Sequence, residues 1–321
     1  MSNFTSFISP QIESFIAYRK ASENWNSSSE YMLRRFDRFC TTSYPEAKAL
    51  SQEMVEHWAQ KIETENNDSC RKRIFPVANM IRYLQARGET NVNPPALPRK
   101  ERRTFIPHAF TEDELANFFK ACDDLPSTPK RLDVLSRKIT LPAFFRLLYS
   151  SGMRTCEARM LLVADVDLHH GIVGIQKSKG SDQHYVVLHD SMLALMRQYD
   201  AAIKKLYPSR VCFFPGTNGN FYGNTWLHKN FQMLWGKGNN ARATAYAFRH
   251  HYAVSNINNW IGEGLVFDDK LLYLSKSMGH RKIESTKYYY SLVPGLADIL
   301  EEKTNADFEA IVPEVEYEEA E

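Results

Sequence analysis

The sequence predicts a mainly α-helical protein with one small β-sheet, in which a helical N-terminal domain precedes a larger α+β domain. Apolar residues recur at three- and four-residue spacing through most of residues 5–90 and in several segments after residue 110, which is typical of amphipathic helices. Residues 171–190 instead carry two short β-branched runs around a polar, glycine-containing turn, which predicts a β-hairpin. A proline-rich segment at residues 91–109 separates the two regions.

The N-terminal domain, residues 1–90, is predicted to hold four helices. Their segments are SPQIESFIAYRKA, SSSEYMLRRFDRFCTT, SQEMVEHWAQKIE and SCRKRIFPVANMIRYLQARG. Ser27, Ser51 and Ser69 are the expected N-caps, because a serine oxygen can accept a hydrogen bond from an N–H of the first turn. Basic residues interleave with aromatic ones at Arg34, Arg35 and Arg38 and at Arg71, Lys72 and Arg73. This interleaving is typical either of a surface that binds a polyanion or of a solvated helix face.

Residues 91–109 are predicted to be a linker. They contain four prolines, which remove backbone donors and favour an extended chain. They also contain four cationic side chains, Arg99, Lys100, Arg102 and Arg103. The segment either lies along the backbone of a polyanion such as DNA or is an ordinary hydrophilic connector, and the sequence favours neither interpretation.

The second domain is predicted over residues 110–302. It opens at Thr111–Glu114, which has the form of a helix capping box. A largely apolar helix, LPAFFRLLYSSG, then ends at Gly152 and is followed by the hairpin and by a helix at residues 244–259. Residues 303–321 form an acidic tail.

The distribution of charge favours a polyanionic partner. The whole chain has a net charge of +2, but residues 301–321 carry nine acidic side chains and one lysine, so the rest of the chain has 39 basic and 29 acidic side chains. Neutralising phosphates and releasing their counterions supplies most of the sequence-independent affinity for DNA. Many basic proteins bind no nucleic acid, so charge alone does not decide the function.

Cysteine content and hydropathy argue against several other classes. The five cysteines are widely spaced, odd in number and include no CxxC pair, which argues against a zinc site or a disulfide framework. No segment approaches 18 consecutive apolar residues, and the N-terminus lacks a basic region followed by a long apolar run. We therefore expect a soluble, cytoplasmic protein without a membrane partner.

Four residues of the second domain are of the types that cleavage of a phosphodiester requires. Arg154 lies in SGMRTCEARMLL, Arg249 lies in YAFRHHYAV, and His280 ends the stretch SMGH, nine residues before Tyr289. A phosphodiester gains negative charge as it becomes five-coordinate, so its cleavage depends on fixed positive donors and a positioned nucleophile. Arginine, histidine and tyrosine can supply both.

This order of residues resembles the tyrosine recombinases, or phage-type integrases, and the domain order is similar to that of their simple two-domain, Xer-like members. The motifs that carry the resemblance cover about residues 141–292, and the looser resemblance in domain order covers about residues 5–300. It implies that residues 1–90 are a core-binding (SAM-like) DNA-binding domain. It also implies that residues 110–302 are the catalytic domain.

The resemblance implies that three residues contact the attacked phosphate. Arg154 and Arg249 would neutralise its oxygens, and His280 would donate a hydrogen bond to it. Glu157 matches the acidic residue that orients the first arginine, and its spacing from Arg154 permits a salt bridge on a helix.

The resemblance also implies a nucleophile and an acid. The family's nucleophile follows the histidine by nine residues, which selects Tyr289 rather than Tyr288 or Tyr290. A lysine on the hairpin would protonate the departing 5′ oxygen. Alignment of the hairpin gives Lys179 this role, with Lys177 as the second choice.

The sequence departs from the family pattern at Tyr246, three residues before Arg249, where a histidine is usual. Tyrosine can donate a hydrogen bond to a phosphate oxygen, but a reference pKa of about 10 makes it a poor base near neutral pH. The group that deprotonates the nucleophile therefore stays open. Water, a histidine such as His250 or His251, and direct stabilisation of the phenolate by cations are the alternatives.

The implied function is that of a site-specific recombinase or integrase, such as a mobile element uses, acting through a 3′-phosphotyrosyl intermediate. Because that ester keeps the energy of the phosphodiester bond, we expect no cofactor and no metal. The expected partners are double-stranded DNA, a homotetramer of this chain on paired sites, and an accessory or directionality protein. The alternatives are a catalytically impaired DNA-binding protein of the same fold and an enzyme similar to type IB topoisomerases.

Overall fold

The computed structural model describes residues 4–23, 25, 27–101, 107–126, 131–176, 183–260, 266–280, 283–287 and 289. The chain divides into two compact units, Met1–Phe105 and Ile106–Glu321. The described residues are mainly helical and include one three-stranded sheet, which confirms the predicted fold class. The acidic tail and part of the predicted linker lie outside the described residues, and their boundaries stay predictions.

The N-terminal unit has four helices in its described part. They are α1 Ser9–Ala21, α2 Ser27–Ser43, α3 Gln52–Ala59 and α4 Asn67–Ala86. The predicted cap at Ser51 is confirmed, because its side chain accepts a hydrogen bond from the backbone N–H of Met54. The predicted cap at Ser69 is wrong. The chain is already helical from Asn67, where the Asn66 side chain accepts the Ser69 N–H.

One apolar face of each of these helices contributes to a common core. Its buried members include Ile12, Phe15, Leu33, Phe36, Val55, Trp58, Val77 and Ile81. Arg73, which the sequence groups with the basic surface residues, is instead buried. It pairs with Glu65 at 2.7 Å and donates to the backbone carbonyls of Trp58 and Gln60. Arg73 therefore joins α4 to the end of α3 and does not contribute to a basic surface.

The described part of the second unit contains eight α-helices and three strands. They are α5 Glu112–Asp123, α6 Leu132–Ser151, α7 Thr155–Arg159, β1 Val166–Asp167, β2 Ile172–Ile175, β3 His184–Val187, α8 Asp190–Leu206, α9 Asn224–Trp235, α10 Ala247–Asn259, α11 Val266–Ser277 and α12 Glu284–Lys287. The predicted capping box is confirmed at the start of α5. There the Thr111 hydroxyl accepts the Glu114 N–H, and the Glu114 carboxylate accepts the Thr111 N–H.

The three strands form one antiparallel sheet in the order β1-β2-β3. Val173 of β2 lies opposite Val186 of β3, and both are buried, so the sheet packs one face against the core. This pairing confirms the predicted hairpin. Residues 177–182, which connect the two strands, lie outside the described residues.

Two apolar clusters position the elements of this unit. In the larger one, aromatic rings of α5, α6, α9 and α10 meet, including Phe118, Phe145, Phe231 and Phe248. In the smaller one, Ala253 and Ile257 of α10 pack with Leu274, Met278 and Tyr289. The smaller cluster brings the last described residues of the chain against α10. No helix in the described ranges has the length and apolar character needed to cross a membrane.

Candidate active site

Arg154 is fixed where α6 ends and α7 begins. Gly152 ends α6 with a φ of 62°, a left-handed conformation that glycine adopts without strain. Glu157 Oε2 accepts a hydrogen bond from the backbone N–H of Arg154 at 2.8 Å, and Glu157 Oε1 accepts one from Arg154 Nη1 at 2.6 Å. The Glu157 side chain is fully buried, whereas 20% of the Arg154 side chain is exposed. The ion pair therefore holds Arg154 while part of its side chain stays open to solvent.

Arg249, on α10, is 2% exposed and binds the backbone of two other segments. Its Nη1 donates to the carbonyl of Gly152 at 2.6 Å, and its Nη2 donates to the carbonyl of Met278 at 2.7 Å. Arg154 Nη2 donates to the next carbonyl, that of Gly279, at 3.2 Å. The two arginines thus join the end of α6, helix α10 and the turn after α11 in one site.

The burial of Arg249 determines how strongly it can attract an anion. Burial lowers the pKa of its guanidinium, and the nearby Tyr289 phenol acts in the opposite direction. An arginine guanidinium is not deprotonated in proteins, so the group keeps its positive charge at neutral pH. A positive charge that is removed from bulk water attracts an anion more strongly than a solvated one. The site is therefore suited to a phosphate group.

His280 lies between Arg249 and Thr286. Arg249 Nη2 is 2.9 Å from His280 Nε2, and because a guanidinium has donors only, Nε2 is the acceptor. The proton then resides on Nδ1, which donates to Thr286 Oγ1 at 2.7 Å. Burial and the charges of Arg249 and Arg154 lower the pKa of His280 to about 4. The imidazole is therefore neutral at physiological pH.

Tyr289 lies beside these groups and is 3% exposed. Its ring is stacked on that of His280, with centroids 6.3 Å apart and an interplanar angle of 15°. The centroid of the His250 ring is 5.6 Å from that of Tyr289. The described site therefore places a tyrosine next to two imidazoles. Tyr288 and Tyr290 lie outside the described residues.

The other two predicted site residues are Tyr246 and Lys179, and the structure describes only the first of them. Tyr246, at the N-terminus of α10, is 44% exposed, and its ring centroid is 5.2 Å from that of His250. Lys179 and its alternative Lys177 lie outside the described residues. Of the six predicted residues, the structure brings four together: Arg154, Arg249, His280 and Tyr289.

Two residues that the sequence-based reasoning missed also shape the site. Thr286 fixes the tautomer of His280. Its position three residues before Tyr289 is the one feature of the sequence that could have pointed to it. His184, the first residue of β3, lies against Gly279, where an added Cβ would be 2.5 Å from His184 Cε1. Gly279 also has a φ of 63°, so both space and conformation require glycine there. No sequence pattern links His184 to this turn, because the contact forms when β3 packs near α11.

The free energy of unfolding of the second unit should fall as the pH is lowered from about 6.5 to about 4. His250 and His280 have pKa values of about 4 in the folded chain, below the ordinary histidine value of about 6.5, and burial also lowers the pKa of His251. Between these values the unfolded chain binds more protons, so stability rises with pH and is lost on acidification. Denaturant titrations of the whole chain across this range measure the effect.

Two variants test the assignment of this pH dependence. His280→Asn should weaken it, because one of the three lowered histidine pKa values is removed. His228→Asn, on an exposed position of α9, should leave it unchanged. The same pH dependence in both variants and in the unaltered chain would contradict the assignment.

Comparisons with known proteins agree on one family. A sequence model of the phage integrase family matches residues 108–294, which is more than half of the chain. Tyrosine recombinase XerC of Lactobacillus delbrueckii subsp. bulgaricus is 25% identical over 224 residues, covering 68% of this chain and 70% of that protein.

Two solved structures share the fold. The XerH site-specific recombinase, bound to its palindromic difH substrate in a post-cleavage complex, gives a TM-score of 0.59 at 16% identity, over 86% of this chain and 78% of that one. Lambda integrase, solved as a tetramer bound to a Holliday junction, gives a TM-score of 0.58 at 14% identity, over 85% and 77%.

Proposed function

The chain belongs to the phage integrase family, the tyrosine recombinases, and from this premise we propose that it recombines DNA through a covalent bond between Tyr289 and a DNA 3′ phosphate. The observation that supports this most is the convergence of Arg154, Arg249, His280 and Tyr289 in one buried site. Two cations beside a tyrosine match what attack on a phosphodiester requires, namely a nucleophile and stabilisation of the growing negative charge.

In the proposed complex, Arg154 and Arg249 bind the non-bridging oxygens of the attacked phosphate. The hydrogen bonds of Arg249 to Gly152, Met278 and His280 use three of its five N–H donors, so an oxygen can be bound without breaking them. Tyr246, at the exposed edge of the site, adds a hydrogen bond from its phenol.

The proposed cleavage step exchanges one phosphorus–oxygen bond for another. The phenolic oxygen of Tyr289 forms a bond to phosphorus while the bond from phosphorus to the 5′ oxygen breaks. The phenolic proton passes to water or to a neighbouring histidine, and the departing 5′ oxygen takes a proton from Lys179, or from Lys177 as second choice. The products are a 3′-phosphotyrosyl ester and a 5′-hydroxyl. Attack on the ester by the 5′-hydroxyl of another strand reverses the chemistry and completes an exchange.

The proposed partners follow from this chemistry. The substrate is double-stranded DNA, in keeping with the excess of basic side chains before residue 301. Each copy of the chain supplies one nucleophile, and exchange between two duplexes cuts four strands, so the proposed assembly is a homotetramer on paired sites. The third proposed partner is an accessory protein that sets the direction of recombination.

Recovery of covalent protein–DNA adducts from cells that express the chain tests the proposal. Mass spectrometry of the nucleotide-bearing peptide identifies the residue, and sequencing of the attached DNA identifies the sites. We expect the nucleotide on Tyr289. A nucleotide on Tyr288 or Tyr290 would keep the reaction and overturn the assignment. DNA binding without any adduct would favour an impaired binding protein, and release of supercoils without exchanged products would favour a topoisomerase-like reaction.

A further inference from the structure

Tyr246 is unsuited to take a proton from Tyr289. A phenol is a weak base, so this side chain is suited to donating a hydrogen bond rather than to accepting a proton. Its ring is 44% exposed and lies against His250. Another group therefore has to accept the phenolic proton when Tyr289 attacks.

His280 is engaged at both ring nitrogens. Nε2 accepts from Arg249 at 2.9 Å, and Nδ1 donates to Thr286 at 2.7 Å. A proton taken up at Nε2 would break the hydrogen bond from Arg249 and would place an imidazolium directly against a guanidinium. These contacts disfavour His280 as the proton acceptor and suit it to holding Arg249 and the Tyr289 ring in place. Because Thr286 takes the one N–H of the neutral ring, the expected hydrogen bond from His280 to the phosphate requires that this contact first be broken.

His250 lies against the ring of Tyr289, with centroids 5.6 Å apart and an interplanar angle of 57°. It follows Arg249 on α10, and the hydrogen bonds of Arg249 to Gly152 and Met278 fix this part of the helix. Tyr246 packs on the same imidazole. The His250 ring is half-buried and lies against two tyrosine rings, of which Tyr289 is next to the arginines proposed to bind the phosphate.

His250 is in the neutral form that can accept a proton. Burial, followed by the charge of Arg249, lowers its pKa to about 4, so the ring is neutral at pH 7. A phosphate bound to Arg249 would offset the second of these causes and make the ring more basic when DNA is present. Within the described part of the chain, the rings of Tyr246 and Tyr289 lie against this ring, and the charged group that acts on it is Arg249.

We propose that His250 is a further catalytic residue, which accepts the phenolic proton of Tyr289 as the phenolic oxygen attacks the DNA phosphate. This inference rests on the proposed function. The O–H bond of Tyr289 breaks and an N–H bond forms on the imidazole, while the oxygen–phosphorus bond forms. In the rejoining step the imidazolium returns the proton to Tyr289 as the phosphotyrosyl ester breaks. Tyr246 is a positioning residue that supports the His250 ring.

The test measures single-turnover adduct formation on a synthetic duplex that carries the site sequenced from the adducts of the unaltered chain. His250→Asn should slow adduct formation by about 100-fold or more at pH 7. DNA affinity should stay unchanged. The rate of the variant should rise with pH above neutrality, because hydroxide then replaces the base, and added imidazole should restore part of it.

A second substrate separates loss of the base from loss of the acid. A 5′-bridging phosphorothiolate provides a sulfur leaving group whose thiol has a pKa near 8.5, so its departure needs little help from an acid. This substrate should leave His250→Asn slow, because the base is still missing. Full rescue by the phosphorothiolate would assign His250 to the departing oxygen and overturn the proposal.

His251 provides the matched control. It is the next residue on α10, but its ring stacks on Tyr149, with centroids 5.4 Å apart, and lies near Phe110. His251→Phe keeps an aromatic ring there and should leave the rate and the pH profile unchanged. His250→Gln replaces the asparagine variant if that variant does not fold.

The outcomes distinguish this inference from the proposed function. Absence of a Tyr289 adduct in the unaltered chain would mean that the proposed function has failed. A normal adduct in the unaltered chain, together with a His250 variant that is equally fast, would refute the inference alone. So would a slow variant with an unchanged pH profile and no rescue by imidazole, since that result indicates a structural role.

Discussion

Tyr289→Phe should abolish formation of the covalent protein–DNA adduct while leaving the affinity for duplex DNA unchanged. Phenylalanine keeps the ring that packs against His280 and His250 and removes the oxygen that attacks phosphorus. The loss of one buried hydroxyl should change the free energy of unfolding by about 1 kcal/mol or less. Adduct detection on denaturing gels, with DNA binding and denaturant unfolding measured on the same preparation, tests all three expectations.

The neighbouring tyrosines are the controls for this variant. Tyr288→Phe and Tyr290→Phe make the same chemical change one position away and should both keep forming the adduct. If Tyr289→Phe still cleaved DNA, or if only Tyr288→Phe or Tyr290→Phe lost cleavage, the nine-residue spacing from His280 would have identified the wrong tyrosine as the nucleophile.

Several regular elements of this protein could be predicted from local patterns, although β1, α8 and α9 were not. The capping box at Thr111, the end of α6 at Gly152 and the pairing of β2 with β3 depend on residues that are near one another in the chain. Turn and cap chemistry is local, so the sequence carries it directly. The order of the arginine, histidine and tyrosine motifs likewise predicted the family that the comparisons show.

The local ion pair of Arg154 with Glu157 was predicted and is confirmed, but the long-range partners of other charged side chains could not be predicted in the same way. Arg73 lies in a run of three basic residues, yet it is buried against Glu65 and two carbonyls, whereas its neighbours in the run are not buried. Arg249 binds carbonyls that are 97 and 29 positions away. Such contacts depend on how the helices pack, and the residue pattern of a single segment does not predict them. The same holds for His250, whose place beside Tyr289 depends on how the last described residues pack on α10.

Arg249→Ala should affect both folding and catalysis, because the guanidinium holds the site together and is proposed to bind the phosphate. The substitution leaves the carbonyls of Gly152 and Met278 without the donors that they have in the folded chain. An unsatisfied buried polar group costs about 1–3 kcal/mol, so the free energy of unfolding should fall by about 3 kcal/mol or more. Adduct formation should fall by about 100- to 1000-fold, as expected when one donor to the transition state is removed.

Arg249→Lys separates these two effects. Lysine keeps the charge but lacks the planar fork that reaches two carbonyls and an imidazole at once, so it should recover part of the stability and little of the activity. Arg131→Ala removes an arginine of the same unit whose ion pair with Asp133 is exposed, and it should change neither quantity. If Arg249→Ala lost adduct formation at undiminished stability, the guanidinium would not hold these segments together. If it kept forming the adduct, Arg154 alone would carry the phosphate.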